Sequence, residues 1–168
     1  MPRLDDLPAG FNLVLAESFP VPTSKILHES KIFDDPWSAG SADLIRRGRI
    51  TGYQIAFTSP RAGQIQCSVG IYRSDAAARQ VYRLRTKSVA AFVAEAGGRS
   101  MATARIGEET DAHRFALGRV PYLGLEWRFR RVLSTCVAGF TRSRMAEILV
   151  VARAQQARIA SALDESRR

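Results

Sequence analysis

The chain has 168 residues, of which 46% are hydrophobic and 24% charged, and its net charge is +9. This is ordinary globular composition, and a chain of this size can bury roughly 70% of its unfolded surface. With no repeat, no low-complexity tract and no apolar run near the roughly 20 residues that span a bilayer, it is neither a repeat array nor a helical membrane protein by sequence.

The charge is uneven. Residues 1–44 carry three basic and seven acidic groups, a balance of −4; residues 45–168 carry twenty-two basic and nine acidic, a balance of +13. Such asymmetry suits a solvated basic surface and equally an anionic partner. Nearly all the basic residues are arginine, the lysines being Lys25, Lys31 and Lys87. The N-terminus, MPRLDDLPAGF, lacks the apolar core of a secretion signal. It is therefore read as cytoplasmic if Met1 is the native start, or as extracytoplasmic if a leader lies upstream.

One domain is expected over residues 1–168, in four stretches: 1–47, 48–97, 98–140 and 141–166. Residues 11–19 (FNLVLAESF) read as an edge strand, because Pro20 and Pro22 follow at once. Residues 24–31 and 41–47 read as short helices around a loop anchored by Trp37. The central stretch is 48–97. Tyr53, Ile55 and Phe57 alternate with Gly52, Gln54 and Ala56; after the turn Ser59-Pro60-Arg61-Ala62-Gly63, Ile65, Cys67, Val69 and Ile71 alternate with Gln64, Gln66, Ser68 and Tyr72. A period of two on either side of a Pro/Gly turn predicts a β-hairpin. Ser74 can cap a helix, with Asp75 at the positive end of its dipole. Val81, Tyr82, Val89, Phe92, Val93 and Ala96 form its apolar stripe, and Gly97-Gly98 ends it.

Residues 102–106 and 113–117 read as short strands. Residues 122–131 alternate, with Leu125, Trp127 and Phe129 facing the core and Glu126, Arg128 and Arg130 facing out. Arg130-Arg131 makes a turn into a returning strand, 132–140. Thr141 then caps a last helix running to about Leu163, with Met145, Ile148, Leu149, Ala152, Ile159 and Leu163 on its apolar face. Strands in adjacent pairs without crossover helices predict an α+β fold: an antiparallel sheet of about five to seven strands with both long helices on one face.

The catalytic inventory is thin. His28 and His113 have no partner at triad or metal-ligand spacing, and there is no nucleophile elbow, zinc-binding helix motif or phosphate-binding glycine loop. Glu108-Glu109 and Asp34-Asp35 are adjacent pairs that point apart on an extended chain, so turn residues are the better reading. No catalytic residue, metal site or cofactor is expected. Cys67 and Cys136 fall in separate predicted strands; they read first as small buried apolar residues, and alternatively as a cross-strand disulfide that would require an oxidising compartment.

Two basic groups remain. Arg46, Arg47 and Arg49 precede the first central strand. Arg79, Arg83 and Lys87 lie four apart on the long helix, on one outward row. Both are candidate partner-binding residues. Aromatics are not interleaved with them, which disfavours nucleic acid. A polar sheet face, Gln54, Gln66, Ser68, Tyr72, Glu126, Arg128 and Arg130, reads as a wetted surface or as the floor of a pocket.

The segments LPAGFNLV (7–14), GRITGYQIAF (48–57) and VGIYRSDAAARQVY (69–82) together resemble a group of uncharacterised bacterial extracytoplasmic domains, often lipoprotein-like. These share an LP-x-GF-x-LV opening, a GR-x-TGY strand and a Y-R-S-x-x-x-A-R helix start. Residues 106–109 and 128–131 are similar to their later "IGDE" turn and "FRRG" hairpin, with Val132 where that pattern has a turn glycine. The element order is more distantly similar to the photosystem subunit PsbP. The resemblance implies a non-enzymatic binding or assembly role outside the cytoplasm. The sequence reading is thus an accessory domain docking on an acidic protein surface. The alternative is a small-ligand carrier, with its pocket between the sheet and the segment around Phe33 and Trp37.

Overall fold

The fold was analysed in a computed structural model, which describes residues 1–7, 9–21, 47–140 and 145–166. The two short helices, Trp37, Phe33, His28, Arg46 and Thr141 lie outside the described residues. Among the described residues eight strands form one antiparallel sheet: β1 (Asn12–Leu13), β2 (Phe19–Pro20), β3 (Arg49–Ser59), β4 (Gly63–Tyr72), β5 (Arg99–Ser100), β6 (Glu109–Leu117), β7 (Val120–Phe129) and β8 (Val132–Phe140). There are two α-helices among the described residues, each of 21 residues, α1 (Asp75–Glu95) and α2 (Met145–Glu165). The strand order is β1-β3-β4-β8-β7-β6-β5, with β2 beside β1 on the outer edge of β3.

The antiparallel α+β architecture follows the sequence pattern. Hairpins β3–β4, β6–β7 and β7–β8 join neighbours, the long-range pairing of β4 with β8 welds them into one sheet, and β1 and β2 add to its outer edge on β3. The edge segment predicted at 11–19 is broken into β1 and β2 by a 3-10 turn at Leu15–Glu17. The strand predicted at 102–106 is absent; Arg99–Ser100 pairs with β6 instead. In the β7–β8 turn, Arg130 takes φ +50°. Its N–H is held by Glu108 Oε1 at 3.2 Å, while Val132, where the resembling pattern has glycine, is the first residue of β8 and takes no positive φ.

The helices divide between the two faces instead of sharing one. Alternation places Ile65, Cys67, Leu125, Trp127, Cys136 and Ala138 on one face, where Ile148, Val151 and Ala152 of α2 pack on them. Trp127 is fully buried, and its Nε1–H donates to Gln156 Oε1 at 2.9 Å. The opposite face carries Tyr72 and Leu133, packed against Ala78, Val81 and Tyr82 of α1, and Phe115, packed against Val89 and Val93. The sequence reading took this second face as polar because Gln and Glu dominate its β4 and β7 positions. Leu133 and Phe115, from β8 and β6, supply the apolar surface that α1 needs.

The cysteines form a disulfide and are not free buried thiols. The β4–β8 register sets Cys67 directly opposite Cys136, with Cα atoms 4.1 Å apart. Direct opposition on adjacent antiparallel strands keeps the two side chains on one face and close enough for their sulfurs to bond.

Candidate functional site

Helix α1 positions the site, and both its ends are fixed by local chemistry. The Ser74 hydroxyl accepts the Ala77 N–H at 3.2 Å, as an N-cap should. At the other end Gly97 takes φ +66°, while Gly97 N–H donates to Ala94 O and Gly98 N–H to Val93 O at 2.7 Å. This is a Schellman closure, and it needs glycine because the left-handed conformation costs an L side chain roughly 1–2 kcal/mol.

The inner face of α1 carries more than apolar contacts. Arg85 falls in the buried stripe between Tyr82 and Val89, and its Nε bonds Glu126 Oε1. Glu126 is 1% exposed, and its second oxygen is buried without a hydrogen-bond partner. The Arg85 Nη2 also reaches Thr135 Oγ1 at 3.5 Å. One turn earlier, the Tyr82 hydroxyl donates to Asp111 Oδ2 at 2.5 Å. Burial, and then this carboxylate, push the Tyr82 phenol well above its ordinary value. At the sheet end, Arg128 is 1% exposed and clamped by Glu108 and Glu109. Glu126 and Arg128 therefore do not face water as their alternation suggested: Arg85 of α1 closes over the first, and Glu108 and Glu109 enclose the second.

These pairs pin the helix. The sequence signal for Arg85 was present: it stands at the i, i+3, i+7 spacing of the apolar stripe, where a solvated arginine has no place. Glu108 and Glu109 are more than turn residues, since both charges converge on one buried guanidinium. Only the register of β6 against β7, Glu109 opposite Arg128, reveals that.

The outer face of α1 is different. Arg79, Arg83 and Lys87 are exposed and rise along one row, with Ala76, Gln80 and Leu84 beside them. The two rows and Arg47 line a shallow groove of about 450 Å³. Arg79 lies 4.0 Å from Glu109, while Arg83 and Lys87 form no ion pair with another described residue. Arg47 is half-buried, and its Nε is buried without a partner. The structure thus brings Arg47 to the helix row.

Arg49 is not part of that surface. It is 8% exposed, and its Nη1 donates to Val21 O at 3.0 Å. Burial lowers its guanidinium from the ordinary arginine value, with Tyr72 opposing and Arg85 adding to the shift. Gly52 allows this placement: a Cβ there would stand 2.2 Å from Arg49 Nη2. The remaining members of the expected polar face are scattered. Tyr72 is buried, Gln54 and Gln66 are half-buried, and Gln54 Nε2 donates to Glu17 O at 3.3 Å. Arg130 pairs with Asp164 at 2.8 Å and stacks over Phe129.

His113 is buried beneath α1, with Ser100 Oγ 3.4 Å from Nδ1 and Nε2 unpartnered. Burial lowers its pKa from the ordinary value, against the pull of Asp111 and Glu126. Asp111 is engaged by Tyr82, so serine, imidazole and carboxylate are not in relay. Among the described residues no cluster of three His, Cys, Asp or Glu side chains is placed to hold a metal ion. No described helix is long and apolar enough to cross a membrane.

No family model matches the sequence, and no curated protein matches it. Among solved structures, the extracellular domain of PknH from Mycobacterium tuberculosis is similar at a TM-score of 0.48 and 9% identity, over 86% of this chain and 79% of that one.

Proposed function

We propose that this protein is a non-enzymatic binding domain that docks through the outer face of α1 on an acidic surface of a protein partner. The observation that carries the reading is the cationic row itself. Arg79, Arg83 and Lys87 stand exposed on a helix whose inner side is pinned by Arg85 and Tyr82, and Arg83 and Lys87 lack a described counter-charge. Like charges four apart on a helix repel one another, and an anionic partner removes that cost. A rigid presenting helix also spares the partner's binding energy from ordering it.

An oxidising, extracytoplasmic setting goes with this reading. It is supported by the Cys67–Cys136 disulfide, since structural disulfides persist outside the reducing cytosol. The sequence resemblance to extracytoplasmic lipoprotein-like domains points the same way, and the accessory-subunit role rests on that resemblance.

Lysine scarcity gives a direct test. A zero-length carbodiimide cross-linker joins an amine only to a carboxylate in contact with it, and Lys87 is the one lysine among the described residues of the proposed surface. Cross-linking in cells of the source organism should join Lys87 to an Asp or Glu of the partner. Partner cross-links confined to other parts of the chain would refute the docking surface.

A further inference from the structure

We infer that the α1 groove reads a linear acidic segment of its partner, lying extended along the helix with carboxylates alternating with apolar side chains. This rests on the proposal that the cationic row is the docking surface, and it adds the form of what docks. Positions four apart on a helix are separated by about 6 Å along its axis, so the charges from Arg79 to Lys87 span about 12 Å. They stand in file and do not converge. A compact anion such as a single phosphate can meet two neighbours at most, whereas a chain can meet all three.

An extended segment has the matching pitch. Its side chains on one side recur every second residue, about 6.6–6.8 Å, so three successive carboxylates cover about 13 Å. The flexible stems of arginine and lysine absorb the difference. The other side of such a segment falls on the neutral row. There Ala76 gives room for close approach, and Leu84, 41% exposed, offers an apolar seat. A helical partner could present charges at a similar spacing. A free helix shorter than about 12 residues is marginal in water, however, and one seat of leucine size offers little to order it. A nucleic-acid strand supplies charge but not the apolar alternation, and no aromatic ring among the described residues lines the groove to stack its bases.

Fluorescence anisotropy on the purified chain tests this with labelled peptides that share a core of three Glu and two Leu. In one the residues alternate; in the other the three Glu precede the two Leu. The alternating peptide should bind at least about fivefold tighter, and its affinity should fall as salt rises. Arg83→Gln should weaken it by about two- to fivefold, the range of one exposed ion pair. Leu84→Ser should weaken the alternating peptide and leave the blocked one unchanged, with circular dichroism confirming that both variants fold. Equal affinity for the two peptides, no binding of either, tighter binding of a single-stranded oligonucleotide, or displacement by millimolar inorganic phosphate would overturn the inference. If partner cross-links still form at Lys87 while the peptides bind alike, only the linear register fails; if Lys87 cross-links are also absent, the docking reading itself fails.

Discussion

Replacing Arg85 with alanine should cost far more than a surface arginine does. Arg85 holds one oxygen of Glu126, whose side chain is 2% exposed; the second oxygen already lacks a partner. Removing the guanidinium strands a buried carboxylate, and breaking such a pair from one side costs about 3–5 kcal/mol. Because the Arg85 side chain keeps 18% of its surface in water, the lower end applies, about 3 kcal/mol. For a chain of this length that is a fall in Tm of about 6–12 °C. The two single variants should not be equal. Glu126→Met leaves an arginine that can turn toward solvent and should cost clearly less. The double variant, Arg85→Met with Glu126→Met, replaces the pair with apolar groups of similar size and should regain most of the loss. Urea unfolding with the disulfide intact, read by tryptophan fluorescence, gives all three values. A loss under about 1 kcal/mol for Arg85→Ala, or a double variant no more stable than Arg85→Ala, would show that Glu126 is hydrated and that the pair does not pin α1.

Three further outcomes follow from the described contacts. Opening the Cys67–Cys136 bond, which spans 69 residues of sequence, should cost about 4 kcal/mol by loop entropy; a reductant that shifts the urea midpoint by the equivalent of less than 1 kcal/mol would contradict this. Gly52→Ala should destabilise, because the new Cβ meets the backbone oxygen of Val69 at 2.4 Å as well as the Arg49 guanidinium at 2.2 Å, and only the side chain can move aside cheaply; a variant as stable as the parent would mean that β3 and β4 do not approach this closely at Gly52. His113 is held neutral by burial, so its folded pKa lies below the unfolded value of about 6.5. The unfolded chain then binds the proton first; stability is full above about pH 6.5 and is lost as pH falls through the folded pKa. His113→Gln should flatten the change in urea midpoint between about pH 7 and 5, and an unchanged slope would place the protonation elsewhere.

Much of the sheet was legible because its alternation is strict. The strand over residues 132–140, the hairpin at residues 59–63 and the two helix ends at Ser74 and Gly97 were readable from period and turn chemistry alone. What was not legible depended on pairing between distant strands. Glu126 and Arg128 alternate with apolar residues as solvated ones would. Only the approach of α1 to that face, drawn by Leu133 and Phe115, shows that they are buried. The disulfide likewise needed the β4–β8 register, which no local pattern encodes. The cationic row on α1 was fully legible, since helical spacing sets it, but the neutral row beside it and the placement of Arg47 were not.

The binding account is tested most directly by charge reversal with a matched control. Arg79→Glu, Arg83→Glu and Lys87→Glu together invert the row; Arg99→Glu, Arg119→Glu and Arg153→Glu invert three exposed charges elsewhere and change net charge equally. Dissociation constants for the partner identified by the Lys87 cross-link should rise at least tenfold for the first set and stay within about threefold for the control. Equal losses in both sets would mean that only overall charge matters, and no loss in the first would mean that α1 is not the docking face.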